Sequence, residues 1–189
     1  MYLSITARPD IAQAVGVLSR FMSYPGAEHV EAAKRVIKYV YSTKDYGITY
    51  RRAGSNSPHK VAAQDLHAFV HTRKNQTAID GSRESSHILG TYCDADYAGD
   101  VGTRKSTGGY GMLLSGALIC WSSKLQPTVA LSTAEAETMA GVEAVKQVMY
   151  LRLFLQELGC EQHGPSLVYE DNNAAISIAH GKEQSKRSK

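Results

Sequence analysis

At 189 residues, with 43% apolar and 21% charged residues, the chain can build one ordinary core, alone or with a small appendage. Its net charge of +3 is accounted for by the last eight residues, where four basic groups face one acid, so the body is near neutral and charge alone does not mark a nucleic-acid binder. No apolar run approaches the ~20 residues of a membrane span, and Met1-Tyr2-Leu3-Ser4-Ile5-Thr6 is not a charged-then-apolar leader.

Cys93, Cys120 and Cys160 are scattered and form no metal-ligand spacing. Free thiols in a soluble, intracellular protein with no membrane partner are therefore expected. Arg8-Pro9-Asp10 opens a helix, with proline in the first turn where its missing N–H costs little. Ile11, Val15, Leu18 and Met22 form its apolar stripe, and Pro25-Gly26 ends it. A second helix follows, with Val30, Ala33, Ile37 and Val40 expected inward and Glu31, Lys34, Arg35 and Lys38 outward. Residues 46–50 read as a short strand. This opening part reads as a small helical segment, residues 1–52, whose charged outer face is a solvated one.

Residues 53–87 change character: Ser, Asn, His, Gln and Lys dominate and the apolar residues show no period. They read as a polar insertion or linker. His59, His67, His71 and His87 lie in or beside it without pattern and are read as incidental.

From residue 88 the pattern becomes strand, hairpin, strand. Tyr92-Cys93-Asp94-Ala95-Asp96 is β-prone, and side chains two apart share a face, so Asp94 and Asp96 are presented together. The chain turns through Gly99, Asp100 and Gly102 and resumes as a strand over residues 108–115, a tight turn at Gly116-Ala117, and a strand over residues 118–122. Trp121, the one tryptophan, is expected to anchor the core.

Ser132-Thr133-Ala134-Glu135 is a capping-box signature that starts a long helix ending near Leu158, with Gly159 as its stop. Glu137, Ala140, Ala144, Val148, Leu151 and Leu155 share one face of it, whereas Glu135 lies about 200° around and already caps. Glu137 thus heads the buried stripe, and a buried acid must be paired, protonated or bound to a metal. Leu167-Val168-Tyr169 then reads as a short buried strand running into Glu170-Asp171-Asn172-Asn173, with a helix after it. Asp171 or Asn172 could serve as its N-cap, and Asp171 also sits where α/β sheets place ligands, at the C-terminal end of a strand.

One acid on the first strand, one in the first turn of the next helix and one at the end of a later strand fit the frame of a ribonuclease H-like fold. The runs Tyr92-Cys93-Asp94-Ala95-Asp96-Tyr97-Ala98-Gly99-Asp100, Arg104-Lys105-Ser106-Thr107-Gly108-Gly109-Tyr110, Trp121-Ser122-Ser123-Lys124, Ser132-Thr133-Ala134-Glu135-Ala136-Glu137 and Glu170-Asp171-Asn172-Asn173-Ala174-Ala175-Ile176 resemble, in order, the ribonuclease H region of copia-type long-terminal-repeat retrotransposon Pol polyproteins. Thr6-Ala7-Arg8-Pro9-Asp10-Ile11 and Leu18-Ser19-Arg20-Phe21-Met22 resemble the thumb and connection segment after the reverse transcriptase palm of the same family.

The resemblance implies an α/β fold with a ribonuclease H-like mixed sheet and flanking helices over residues 88–189, preceded by the helical connection segment. It implies Asp94, Glu137 and Asp171 as catalytic, metal-holding carboxylates; spacing alone leaves Asp94 and Asp96 equivalent. It implies two Mg²⁺ or Mn²⁺ ions and hydrolysis of the RNA strand of an RNA–DNA hybrid, with Arg104, Lys105, Ser106 and Thr107 as backbone contacts. Hard divalent cations prefer oxygen ligands, which favours Asp and Glu, and the 2′-OH separates RNA from DNA. A reverse transcriptase palm is the implied partner, and a cytoplasmic virus-like particle the implied setting. The family's fourth acid follows soon after the last helix in a Lys-His-Ile-Asp run that this sequence does not reach, so a C-terminally truncated domain is expected, with the strand around Val168 as a sheet edge. An inactive Pol remnant that binds nucleic acid or a polymerase is the alternative. Reading Asp94-Ala95-Asp96 as the DxD motif of a nucleotide-sugar transferase instead requires a nucleotide-binding sheet upstream, where two helices and a polar loop stand.

Overall fold

The structure, a computed structural model, describes residues 1–48, 50 and 89–181. Among these, the chain runs α1 (Tyr2–Thr6), a short 3₁₀ turn (Pro9–Ile11), α2 (Ala12–Ser19), α3 (Ala27–Ser42), β1 (Leu89–Asp96), β2 (Thr107–Leu114), β3 (Ala117–Leu125), α4 (Thr133–Glu157), β4 (Leu167–Tyr169) and α5 (Asn173–Ala179). The described strands form one mixed sheet in the order β3-β2-β1-β4, with flanking helices, an α/β architecture compatible with a ribonuclease H-like fold.

β1, β2 and β3 form an antiparallel meander, with Asp94 opposite Gly109 and Gly109 opposite Ser123. β4 joins the other side of β1 in parallel, Tyr92 opposite Tyr169, and the two rings stack at 4.7 Å. α4 covers one face. Leu89, Cys93 and Met112 from the sheet pack with Ala144, Val148 and Leu151 from the helix. The buried face of α4 contains the anticipated stripe from Glu137 to Leu155. Its small members matter: a Cβ at Gly108 would lie 3.4 Å from that of Ala140, so the helix rides close to the sheet. The ends of α4 are fixed by sequence. Ser132 Oγ accepts the Glu135 N–H, while the Glu135 carboxylate reaches back to the Leu131 N–H. At the other end Gly159, at φ +74°, and Cys160 donate to the carbonyls of Gln156 and Leu155, a Schellman stop.

The N-terminal segment packs on the same sheet. α2 lies on β3, and Trp121 Nε1 donates to the Ser4 carbonyl at 2.7 Å, so this tryptophan fastens α1 to the sheet. Arg8, 7% exposed, ties the start of this segment to the end of α3: its guanidinium holds Asp10 at 2.7 Å and Thr43 Oγ1 at 2.6 Å, over the Tyr39 ring.

Several expectations are corrected. α1 was not anticipated, because five residues offer no periodic stripe. α2 stops at Ser19, so Met22 lies beyond it and is exposed. α3 is rotated by about one residue: Ala33, Val36 and Val40 are half-buried, while Val30 and Ile37 are exposed. It packs against α2, whose surface covers only a narrow strip, and that strip falls beside the most apolar face. Residues 46–48 form no strand, since none of the described strands pairs with them. The hairpin turn is Ser115-Gly116, not Gly116-Ala117, because both residues have positive φ (54° and 77°), the pattern of a type I′ turn. Leu167 and Val168 are exposed on the edge strand rather than buried. The polar insertion and its four histidines lie outside the described residues.

Candidate metal centre

Three elements converge at the C-terminal end of β1. Asp94 comes from β1 itself, Glu137 from the first turns of α4, and Asp171 from the three residues between β4 and α5. One carboxylate oxygen of each lies within 4.8 Å of those of the other two, with Asp94 and Asp171 exposed and Glu137 buried. Spacing left Asp94 and Asp96 equivalent. Here Asp94 belongs to the cluster, and Asp96 does not; its carboxylate sits instead over Gly99, where a side chain would collide with it.

The local sequence frees these groups for the task. Asn172 caps α5, its Oδ1 accepting the Ala174 and Ala175 N–H groups at 3.0 and 3.1 Å, so Asp171 is not needed as the cap. Likewise Glu135 is spent at the start of α4, leaving Glu137 to face the sheet. Glu137 is 7% exposed and its Oε2 has no hydrogen-bond partner among the described residues. Burial first, then the charges of Glu170, Asp94 and Asp171, raise its carboxyl to about 8. A buried acid with one unsatisfied oxygen among other acids is a poor arrangement for the protein alone.

Sequence reasoning did not single out Glu170. It is half-buried beside the cluster, accepting the Asn172 N–H at 3.0 Å and the Cys93 thiol at 3.4 Å, and burial raises its carboxyl as well. Its only signal in the sequence was its place at a strand end next to Asp171. Cys93 is buried and free, its thiol pushed up by burial and by Glu170.

The four proposed backbone contacts divide. Arg104 is exposed, at φ +55°, and Lys105 is half-exposed. Ser106 is fully buried and Thr107 buried; Ser106 Oγ accepts the Ala98 N–H at 3.0 Å, so it shapes the turn after β1 and does not present a hydroxyl to a ligand. That turn is further held by Asp100, which accepts from the Thr103 side chain and backbone and meets Arg20 of the N-terminal segment at 3.5 Å.

No helix among the described residues is long and apolar enough to cross a membrane. Compared with known proteins, the chain is 40% identical over 179 residues to the retrovirus-related Pol polyprotein from transposon TNT 1-94 of Nicotiana tabacum, covering 95% of this chain and 11% of that one. It is 34% identical over 177 residues to the retrovirus-related Pol polyprotein from transposon RE1 of Arabidopsis thaliana, covering 94% of this chain and 10% of that one. It is also 40% identical over 151 residues to the secreted RxLR effector protein 161 of Plasmopara viticola, covering 80% of this chain and 84% of that protein. No protein-family model and no solved structure matches it. The chain spans about a tenth of the length of the Pol polyproteins it matches. Along nearly its whole length, the chain is therefore homologous to a stretch of the retrovirus-related Pol polyproteins of transposons.

Proposed function

We propose that this chain is a ribonuclease H-like, metal-dependent domain of a copia-type Pol polyprotein, which hydrolyses the RNA strand of RNA–DNA hybrids. The observation that carries this reading is the convergence of Asp94, Glu137 and Asp171 within 4.8 Å around a buried glutamate oxygen, Glu137 Oε2, that no group among the described residues satisfies. The donor set is all carboxylate oxygen, which fits Mg²⁺ or Mn²⁺, and a divalent cation would relieve both the orphaned oxygen and the mutual repulsion. Asp94, Glu137 and Asp171 would hold it.

Bound there, divalent cations supply an acidic water for attack on the phosphodiester and positive charge for the leaving oxygen. The chain's own part is positional. β1 is paired with β2 through Asp94 and with β4 as far as Tyr92, which positions Asp94. The closeness of α4 to Gly108 fixes Glu137, and the Asn172 cap with the Glu170 bond to its N–H fixes Asp171. Arg104 and Lys105 are near enough to the surface to meet a phosphate backbone. In the longer Pol polyproteins the partner would be the reverse transcriptase palm, and the setting the cytoplasmic virus-like particle.

The test is cleavage of a labelled RNA–DNA hybrid in Mg²⁺ or Mn²⁺ by the chain, Asp94→Asn and Glu137→Gln. Cleavage lost in both variants is expected, with a fall of at least about 10²-fold, the scale of removing one electrostatic stabiliser. A folded chain that binds the hybrid without cutting it in either metal would overturn the enzymatic reading and make the domain an inactive remnant. Cleavage unaffected by Asp94→Asn would place the activity elsewhere.

A further inference from the structure

The sheet face turned away from α4 carries a feature that the carboxylate cluster does not explain. Directly opposed residues on neighbouring strands share a face, so Asp94 on β1, Gly109 on β2 and Ser123 on β3 form one row across the sheet. Tyr92 and Gly111 begin the row beside it. Two glycines in the middle strand leave its surface without side chains, and β3 beyond them is roofed by the N-terminal helices. The result is a trough of about 280 Å³ that opens at Asp94 and is walled on its far side by Asp10 and Gln13.

That wall is rigid for reasons unrelated to the acids. Arg8 holds the Asp10 carboxylate with Nε and Nη2 at 2.9 and 2.7 Å, and binds the Thr43 carbonyl at 3.1 Å. Trp121 fastens Ser4, and Arg20 meets Asp100. Asp10 is thereby neutralised, whereas the Gln13 amide makes no hydrogen bond to another described residue and is exposed. Gly109 is not required by the protein's own packing, because a Cβ there would meet only the Ser122 carbonyl at 3.4 Å, an ordinary contact.

Among the described residues no lysine or arginine lines the trough, whereas the carboxylates of Asp10, Asp94 and Asp96 do. Its chemistry suits the uncharged part of a polynucleotide, a sugar with its base, and not a phosphate. An amide offers both donors and an acceptor for such a group. We propose that the trough seats the ribonucleotide next to the phosphodiester that is cut, and that Gln13, from the N-terminal segment, is a positioning residue that hydrogen-bonds its sugar or base edge. This rests on the ribonuclease reading above and extends it: the connection segment would contribute to the substrate site itself.

The test measures binding of a fluorescent RNA–DNA hybrid by anisotropy, with Ca²⁺ in place of Mg²⁺, to the chain, Gln13→Ala, Gln13→Asn and Gly109→Ala, with thermal melts of each. Gln13→Ala should weaken binding about three- to tenfold, the worth of one hydrogen bond, with Gln13→Asn intermediate; Gly109→Ala should also weaken it, by the methyl it places in the trough, and melting should be unchanged. In cleavage, KM should rise with kcat nearly unaltered. Equal affinity for all variants, with Asp94-dependent cleavage intact, would overturn the trough and leave the ribonuclease reading standing. Gln13-sensitive binding without cleavage would do the reverse. Absence of hybrid binding by the parent chain would overturn both.

Discussion

A carboxyl group enclosed as Glu137 is, with three other acids around it, resists ionisation, and its raised value of about 8 sets a pH dependence for the whole chain. In the unfolded chain this group loses its proton near the usual 4.5, whereas the folded, metal-free protein keeps it until about 8. Between those values the folded state binds more protons, so stability is full below the lower value and is lost as pH rises toward the upper one. The slope approaches about 1.4 kcal/mol per pH unit. Urea midpoints measured in chelator should therefore fall from pH 5 to pH 8, Glu137→Gln should flatten the decline, and added Mg²⁺ should restore the midpoint at pH 8. A midpoint indifferent to pH would contradict the burial of Glu137 among the other acids. At this scale the sequence was informative where helical phase applied: the steps from Glu137 to Leu155 separated it from Glu135. Spacing was silent on Asp94 against Asp96, because a period of two places both on one face; the family resemblance pointed to Asp94, and it is Asp94 that lies with Glu137 and Asp171. Ser106 misled for a related reason, since a hydroxyl in a basic run looks available until the turn at Ala98 claims it.

Elements differ in how far their burial could be foreseen. α4 is apolar on more than one side: Met149, Tyr150, Leu153 and Phe154 are all exposed. What selects its inner face is smallness, with Ala136, Ala140 and Ala144 lying where the helix meets the sheet and Gly108 leaving room beneath. Ala144 is fully buried against the cluster of Leu89, Cys93 and Met112. Ala144→Leu should overpack this contact and cost about 1–3 kcal/mol in urea denaturation. It should also lift the first turns of α4 and weaken divalent-cation binding, readable by calorimetry. α3 is the contrary case. With no fully buried residue and α2 as its main neighbour, its burial is decided by a narrow strip of contact, so its most apolar stripe was a poor guide. The hairpin turn was displaced by one residue because glycine marks such a turn without telling which of its two positions it occupies.

For the whole molecule, order along the chain and order in space diverge most at β4. The meander from β1 to β3 joins neighbours in sequence, and its topology was legible because each strand is bounded by turn residues. The parallel pairing of Gly90 with Leu167 and Tyr92 with Tyr169 spans the hairpins and all of α4, and no local signal announces it. It is also short, three residues at an exposed edge. Distant pairings reward the chain only after the entropy of closing the intervening loop has been met. Tyr169→Leu, which removes the stack on Tyr92, should therefore cost about 1 kcal/mol and express that loss as faster unfolding with little change in folding rate. Stopped-flow chevrons would read this, and a matching slowdown of folding would show that β4 docks before the transition state. The residue carried by this last pairing is Asp171. The site is thus completed by the least protected part of the sheet. Occupancy of the site and closure of the fold then become one event in time, so that a cation captured by Asp94 and Glu137 would act as a latch for β4, slowing its release as it binds.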